Sequence, residues 1–432
     1  MKKFAAILLA VFACLFAFAC TETGGGDDPG DNPGGNGGGN EPVENPLKDN
    51  TGMIDTKYDL KTYLYPIWEG RAVYNETLWF APDNVAPLLY KPEEILSVRS
   101  YDLKTTYVEN VDYIVDGSSL VLPAGSSIPR MSYEEFYPAT VGINMIPVES
   151  RSQAGRYVFA MEGDTISRRQ VVVSYIHREE KNWTLPRNDS ARFPKTMQKL
   201  ASGEPIKVVF YGDSITVGAN ASEFLKIDPK AESYANMVKS YINKRFPTAN
   251  MTFVNNAVGG TDSNWGAGKL TGIPAIDDIF VPEGTRADHF KIRVLDEKPD
   301  LLFIAYGMND QNYGAENYAE SIVEMCQRIR AQNPNVEIML ISGMIANPDT
   351  GFDNKNYEAY QQALVATADD IYKGEGVGVS TVLNTVRSLY ANGKRFQDCT
   401  ANNVNHPNDF MMRVYAQTVL YSLFGPDYIE HI

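Results

Sequence analysis

Apolar positions follow two different periods in the two halves of the chain. From residue 206 onward, short continuous apolar runs alternate with stretches whose apolar residues return every three or four positions. The runs at 206–211, 251–257, 301–306, 337–342 and 377–383 predict strands buried on both faces. Between them, 233–246 places Tyr234, Met237, Val238, Tyr241 and Ile242 on one helical face, and 317–331 does the same with Tyr318, Ile322, Met325, Cys326 and Ile329. Further helices are predicted at 357–372 and 410–423. Strand–helix alternation of this kind predicts a parallel sheet with helices on both faces, and such a sheet carries its functional loops after the carboxyl ends of its strands.

Residues 51–190 lack that alternation. Aromatic-rich segments at 63–68 and 74–80 read as strands, as do 156–161 and 170–176. The segments 112–115 and 120–122 flank Asp116-Gly117-Ser118-Ser119, a hairpin signal with Gly where a positive φ is needed. Several short strands with turn punctuation predict an antiparallel β-sandwich domain over 51–190, joined by a linker at 183–194 to a second domain over 195–432. Its aromatics suit either a packed scaffold or a carbohydrate-binding face. His177, just past its last strand, is placed to be a junction histidine or to reach a neighbouring site.

The N-terminus changes the picture of where the protein works. Lys2 and Lys3 precede an apolar run at 4–19, too short to span a bilayer comfortably, and Cys20 follows. Residues 1–20 read as a signal peptide, and Ala17-Phe18-Ala19-Cys20 resembles the lipobox of bacterial lipoproteins, which implies lipid on the Cys20 thiol. Residues 21–50 are rich in Gly, Asp, Asn and Pro and cannot pack a core, so they read as a tether with a reach of about 30 Å. The expectation is an extracytoplasmic protein, anchored by lipid to a bacterial cell membrane, the outer membrane in the simplest reading. A net charge of −15 argues against nucleic acid as a partner. Beyond Cys20, the cysteines Cys326 and Cys399 form neither a disulfide framework nor a zinc spacing, and Cys326 reads as a small buried hydrophobe.

The loops after the predicted strands hold the candidate chemistry. Gly212-Asp213-Ser214 follows the first strand, and Asn255-Asn256-Ala257-Val258-Gly259-Gly260 the second. Tyr306-Gly307-Met308-Asn309-Asp310 follows the third, and Asn402-Asn403-Val404-Asn405-His406-Pro407-Asn408-Asp409 opens the last helix. A serine hydroxyl needs a base to become a nucleophile. Of four histidines, His406 leads, because His431 is in the tail and His289 has an acidic, exposed-looking context. These four blocks, in this order, resemble those of the SGNH (GDSL-type) hydrolase superfamily, from residue 206 onward. The resemblance implies a flavodoxin-like three-layer α/β/α domain and ester hydrolysis without metal or organic cofactor. It also implies a Ser214 nucleophile, a His406 base, and an oxyanion hole from the Gly260 N–H, the Asn309 amide and the Ser214 N–H. Asn408 or Asp409 would cap the helix that follows.

One position departs from the pattern. The family usually has Asp three residues before the histidine, and here that residue is Asn403. Three readings stand: Asn403 or a backbone carbonyl orients His406 in a Ser–His dyad, Asp398 folds back into the role, or the site is weak or dead. The β-domain before an SGNH domain is similar in arrangement to the acetylesterases of carbohydrate esterase family two. That similarity implies a serine esterase acting on O-acetyl groups of a glycan or another small ester. A lipid or thioester hydrolase, and a glycan-binding lipoprotein with an inactive hydrolase domain, are the alternatives. Trp265 is a candidate sugar-stacking ring or a core or lid residue.

Overall fold

The computed structural model describes residues 47–269, 288–353 and 355–432. Cys20, the 1–20 leader and nearly all of the 21–50 tether lie outside the described residues. The first described helix is α1 (Leu60–Leu64), where the aromatic pattern had predicted a strand. The Asp59 side chain caps it by accepting from the Thr62 N–H, and Pro66 follows its end.

Two small antiparallel sheets follow. Strands β1 (Ala72–Trp79), β2 (Val85–Pro87), β3 (Glu94–Ser100), β4 (Ile114–Asp116), β5 (Ser119–Val121) and β6 (Gln170–Ile176) pair in the orders β1-β6-β3 and β2-β5-β4. The β4–β5 hairpin turns at Gly117, with φ at 61°. Strand β3 is mostly polar and was not visible in the hydrophobic pattern. The expected strand at 156–161 is reduced to isolated bridges, Glu149 with Tyr157 and Met145 with Met161.

Strands β7 (Pro205–Gly212), β8 (Asn250–Asn255), β9 (Leu301–Ala305), β10 (Glu337–Ile341) and β11 (Val377–Ser380) form one parallel sheet in the order β11-β10-β9-β7-β8. Counted within this sheet, that is the flavodoxin-like order 2-1-3-4-5. The helices are α2 (Pro194–Ser202), α3 (Ser214–Val217), α4 (Tyr234–Arg245), α5 (Ala315–Gln332), α6 (Tyr357–Ala366), α7 (Val382–Ala391) and α8 (Asp409–Phe424). Side chains alternate across the sheet. Val208, Phe210, Phe303 and Met339 face α4, α7 and α8, whereas Val209, Tyr211, Ile304 and Leu340 face α5 and α6. The last predicted strand stops short because Val382, Leu383, Val386 and Leu389 follow helical spacing and begin α7.

The stretch read as a linker is instead a strap along edge strand β11. The Asp189 carboxylate accepts from the Val379 N–H at 2.8 Å, and the Thr381 hydroxyl accepts from the Arg187 N–H at 3.2 Å. This satisfies an edge that would otherwise present open donors.

Helix α8 packs against both halves. All sixteen of its residues are buried, which suits a helix packed on every side. One side meets the parallel sheet. Towards the N-terminal region, the Gln417 amide donates to the Tyr63 and Tyr65 carbonyls at 2.7 and 2.8 Å. The Lys394 ammonium, just after α7, reaches the fully buried Glu76 of β1 at 2.6 Å. Residues 49–432 form one compact unit with a core running through both regions.

Candidate active site

Strand β7 ends at the point where the chain crosses from one side of the sheet to the other, the usual ligand position of such sheets. Gly212 is required there by crowding rather than by turn geometry. A Cβ would stand 2.4 Å from the Ala305 carbonyl oxygen of β9 and 2.6 Å from the Thr216 hydroxyl. Asp213 then caps α3 by accepting from the Ile215 N–H at 2.9 Å. Burial pushes its carboxyl up to about 6, opposed by that N–H and by His406. Ser214 opens α3, which closes at Gly218 with φ at 89°.

His406 arrives from the loop before α8. The Asn402 side-chain oxygen Oδ1 accepts the backbone N–H groups of Val404, Asn405 and His406, each at 3.0 Å. The His406 carbonyl accepts from the Thr400 hydroxyl at 3.0 Å and the Ala401 N–H at 2.9 Å. Asn408 caps α8 by accepting from the Met411 N–H at 3.1 Å, as its position suggested. The loop is thus pinned at both ends, and His406 Nε2 lies 2.9 Å from Ser214 Oγ.

The glycine and asparagine blocks converge on the same place. The Cβ position at Gly259 lies 3.7 Å from Ser214 Cβ, and Gly260 takes φ at 79°. The space a Cβ would fill at Gly260 is open, so this glycine is set by its backbone angle. Asn309, after β9, donates its amide to the Thr261 carbonyl at 2.9 Å, which ties the two loops together. The next residue, Asp310, accepts from the Ser263 N–H at 3.1 Å and from its hydroxyl. Burial and the Asp262 charge push its carboxyl up to about 7 against the Ser263 bond.

Neither sequence candidate for orienting His406 reaches the imidazole. Asn403 sits at φ 59°, with its amide spent on the Phe159 carbonyl at 3.0 Å and its oxygen on the Asn347 amide at 3.1 Å. Asp398 is fully buried, paired with Arg395 at 2.8 Å and accepting from the Trp79 N–H at 2.7 Å. Glu162, from the segment preceding β6, is the carboxylate beside the ring, with Oε2 at 3.3 Å from His406 Nδ1. No local signal marks Glu162 in the sequence, because its partner is 244 residues away.

The other ring candidates are structural. Trp265 is fully buried and stacked on His289 at 4.0 Å, so it offers no open ring and His289 is not exposed. His177 is buried and stacked on Tyr90 at 3.8 Å. Burial lowers its pKa to about 4, against the Glu179 carbonyl. Cys326 is buried within the helix core, as expected.

A flavodoxin-like sheet with a serine and a histidine meeting at its carboxyl edge defines a class, the α/β ester hydrolases. Residues 210–414 match the GDSL-like lipase/acylhydrolase family. No curated protein matches the chain. Among solved structures it is similar to a two-domain esterase (CEX) active on acetylated mannans, co-crystallized with mannopentaose, at 20% identity over 55% of each chain with a TM-score of 0.40. The chain therefore spans about half the length of that esterase. It is similar to LAE5, an α/β hydrolase enzyme from the metagenome of Lake Arreo, Spain, at 18% identity over 51% of this chain and 95% of that one, TM-score 0.38. A catalytic mutant of Axe2, an acetylxylan esterase from Geobacillus stearothermophilus, is 16% identical over 51% of this chain and 94% of that one, TM-score 0.37.

Proposed function

We propose that the protein is a serine esterase that removes O-acetyl groups from carbohydrate. His406 Nε2 takes the Ser214 proton as Oγ attacks the acetyl carbonyl. The sugar alcohol leaves with that proton, and water then releases acetate from the acyl-enzyme by the same route. Backbone N–H groups at Gly260 and Ser214 and the second amide hydrogen of Asn309 receive the oxyanion. The observation that carries the reading is the 2.9 Å approach of His406 Nε2 to Ser214 Oγ.

One feature supports a polar substrate. Beside the His406 ring stands the exposed Glu162 carboxylate, a hydrogen-bonding group that suits a polyol. The test compares p-nitrophenyl acetate with p-nitrophenyl octanoate, and follows acetate release from an acetylated oligosaccharide, with Ser214→Ala as the zero. The acetate ester should be favoured by about tenfold or more in kcat/KM. Preference for octanoate would move the substrate to lipids, and no Ser214-dependent turnover would leave a glycan-binding protein.

The proposal includes the anchor. Among the described residues no helix is long and apolar enough to cross a membrane, and we assign attachment at the outer membrane to lipid on Cys20. Cys20→Ala should move the protein from the membrane fraction to the soluble periplasmic fraction. Unchanged membrane retention would refute the anchor.

A further inference from the structure

We propose that Glu162, supplied by the N-terminal region, is the positioning carboxylate of His406, so that the active site of the α/β domain is incomplete without the region before it. The inference rests on the serine-esterase reading and extends it to a residue outside the family-matched stretch of 210–414.

The geometry is specific. His406 Nδ1 is buried and lacks a well-aligned hydrogen bond, and the carboxylate oxygen facing it is Glu162 Oε2 at 3.3 Å. The other oxygen, Oε1, accepts from the Asn402 amide at 3.1 Å. Asn402 is the same residue whose side-chain oxygen accepts the His406 N–H. One asparagine therefore fixes both the histidine backbone and the carboxylate that faces its ring. The segment is docked on the loop at two further points: the Met161 N–H donates to the Asn402 carbonyl at 3.3 Å, and Asn403 donates to the Phe159 carbonyl at 3.0 Å. Asn403, at the family's acid position, thus holds the segment that brings the acid. Burial acts to raise the Glu162 pKa, but His406, Asn402 and Asn220 outweigh it and hold the group below its usual value. Glu162 is ionised at neutral pH.

The chemistry follows from the side of the ring it occupies. A carboxylate at Nδ1 keeps the proton there in the neutral ring, leaving the Nε2 lone pair for the Ser214 proton. It then stabilises the imidazolium that forms. The 3.3 Å contact is long, as such contacts often are before substrate binds, and it shortens when the ring becomes cationic. The Glu162 side chain is 56% exposed, so water screens it. Its effect should fall well below the roughly 10⁴-fold associated with a buried triad aspartate.

The charged groups set against the imidazole are Glu162 and Asp213. Removing the first should shift the acid limb of kcat/KM to lower pH, because the imidazolium loses an anion. The experiment measures kcat, KM and pH profiles for wild type, Glu162→Gln, Glu162→Asp and Ser214→Ala on p-nitrophenyl acetate. Glu162→Gln should lose about 10- to 100-fold in kcat with KM within about twofold, and Glu162→Asp should recover part of the loss. Its Tm should stay within about 2 °C of wild type, since the side chain is exposed. A purely structural role would lower Tm and leave the acid limb in place. Full activity in Glu162→Gln while Ser214→Ala is dead would refute the role of Glu162 and leave the esterase reading intact. Activity retained in Ser214→Ala would instead sink that reading. Nitrogen-15 histidine spectra give a readout without turnover: Glu162→Gln should weaken the Nδ1–H preference of His406, and an unchanged His406 signal would overturn the proposal.

Discussion

Ser214→Ala and His406→Ala should each lower kcat on an acetyl ester by about 10⁴- to 10⁶-fold, and the double variant should lose no more than the worse single. In the mechanism proposed above, the two groups perform one step. Ser214 Oγ is a poor nucleophile until its proton leaves, and His406 Nε2, 2.9 Å away, is the base positioned to take it. With the hydroxyl gone there is nothing to deprotonate, and with the imidazole gone the hydroxyl stays neutral. In that mechanism the residual rate comes from substrate binding and from the proposed oxyanion donors Gly260 and Asn309, which neither substitution touches. Fluorophosphonate labelling provides the direct check. Wild type should label stoichiometrically at Ser214, His406→Ala very slowly, and Ser214→Ala not at all. If the losses of the two single variants multiplied in the double, the groups would be acting independently and the shared proton transfer would be wrong.

How much of this was legible in the sequence depended on the range of the interactions. The parallel sheet was readable because each of its strands is buried on both faces over a short run, and burial of that kind leaves a local apolar signature. The serine and histidine blocks were readable because turn and cap chemistry is written into neighbouring residues: Asp213 caps α3 and Asn408 caps α8. The errors fall where the deciding partner is distant. Asp398 is the obvious spare carboxylate in the histidine loop, yet its charge answers Arg395 and its oxygen answers the Trp79 N–H of β1. Asn403 stands in the family's acid position, but its positive φ turns its amide toward Phe159. Glu162 has an unremarkable turn-rich setting, and nothing within ten residues predicts its neighbour. His289 was read as exposed from the charges around it, whereas Trp265 covers one face of its ring. The aromatic-rich 63–68 segment illustrates the same limit locally. Its composition suits a strand, but the Asp59 cap and the seat against α8 made its start a helix.

The interlocking of the two halves has its largest energetic consequence at Lys394. Its ammonium and the Glu76 carboxylate are both fully buried, 2.6 Å apart. Glu76 also accepts from the Leu89 N–H at 2.9 Å and the Tyr175 hydroxyl at 2.6 Å, so the carboxylate is well satisfied only as a member of the set. Lys394→Met removes the counter-ion and leaves a buried anion, which should cost about 3–5 kcal/mol and lower Tm by roughly 4–6 °C. Glu76→Gln should destabilise similarly by stranding the ammonium. A double change to apolar residues, Lys394→Met with Glu76→Leu, should recover much of the loss, because exchanging a buried ion pair for packed side chains is often close to neutral. The exposed pair Arg168–Asp164, also at 2.6 Å, is the internal control, and Arg168→Ala should change stability by less than about 1 kcal/mol. Because the pair joins β1 to the segment after α7, Lys394→Met should weaken both halves together. Thermal unfolding followed by calorimetry should then show one transition in wild type and one at lower temperature in the variant. Two resolved transitions, with only the first displaced, would mean that the N-terminal sheets unfold as a separate body. In that case Glu162 would be carried to His406 by a detachable partner, and activity would disappear with the first transition rather than with the last.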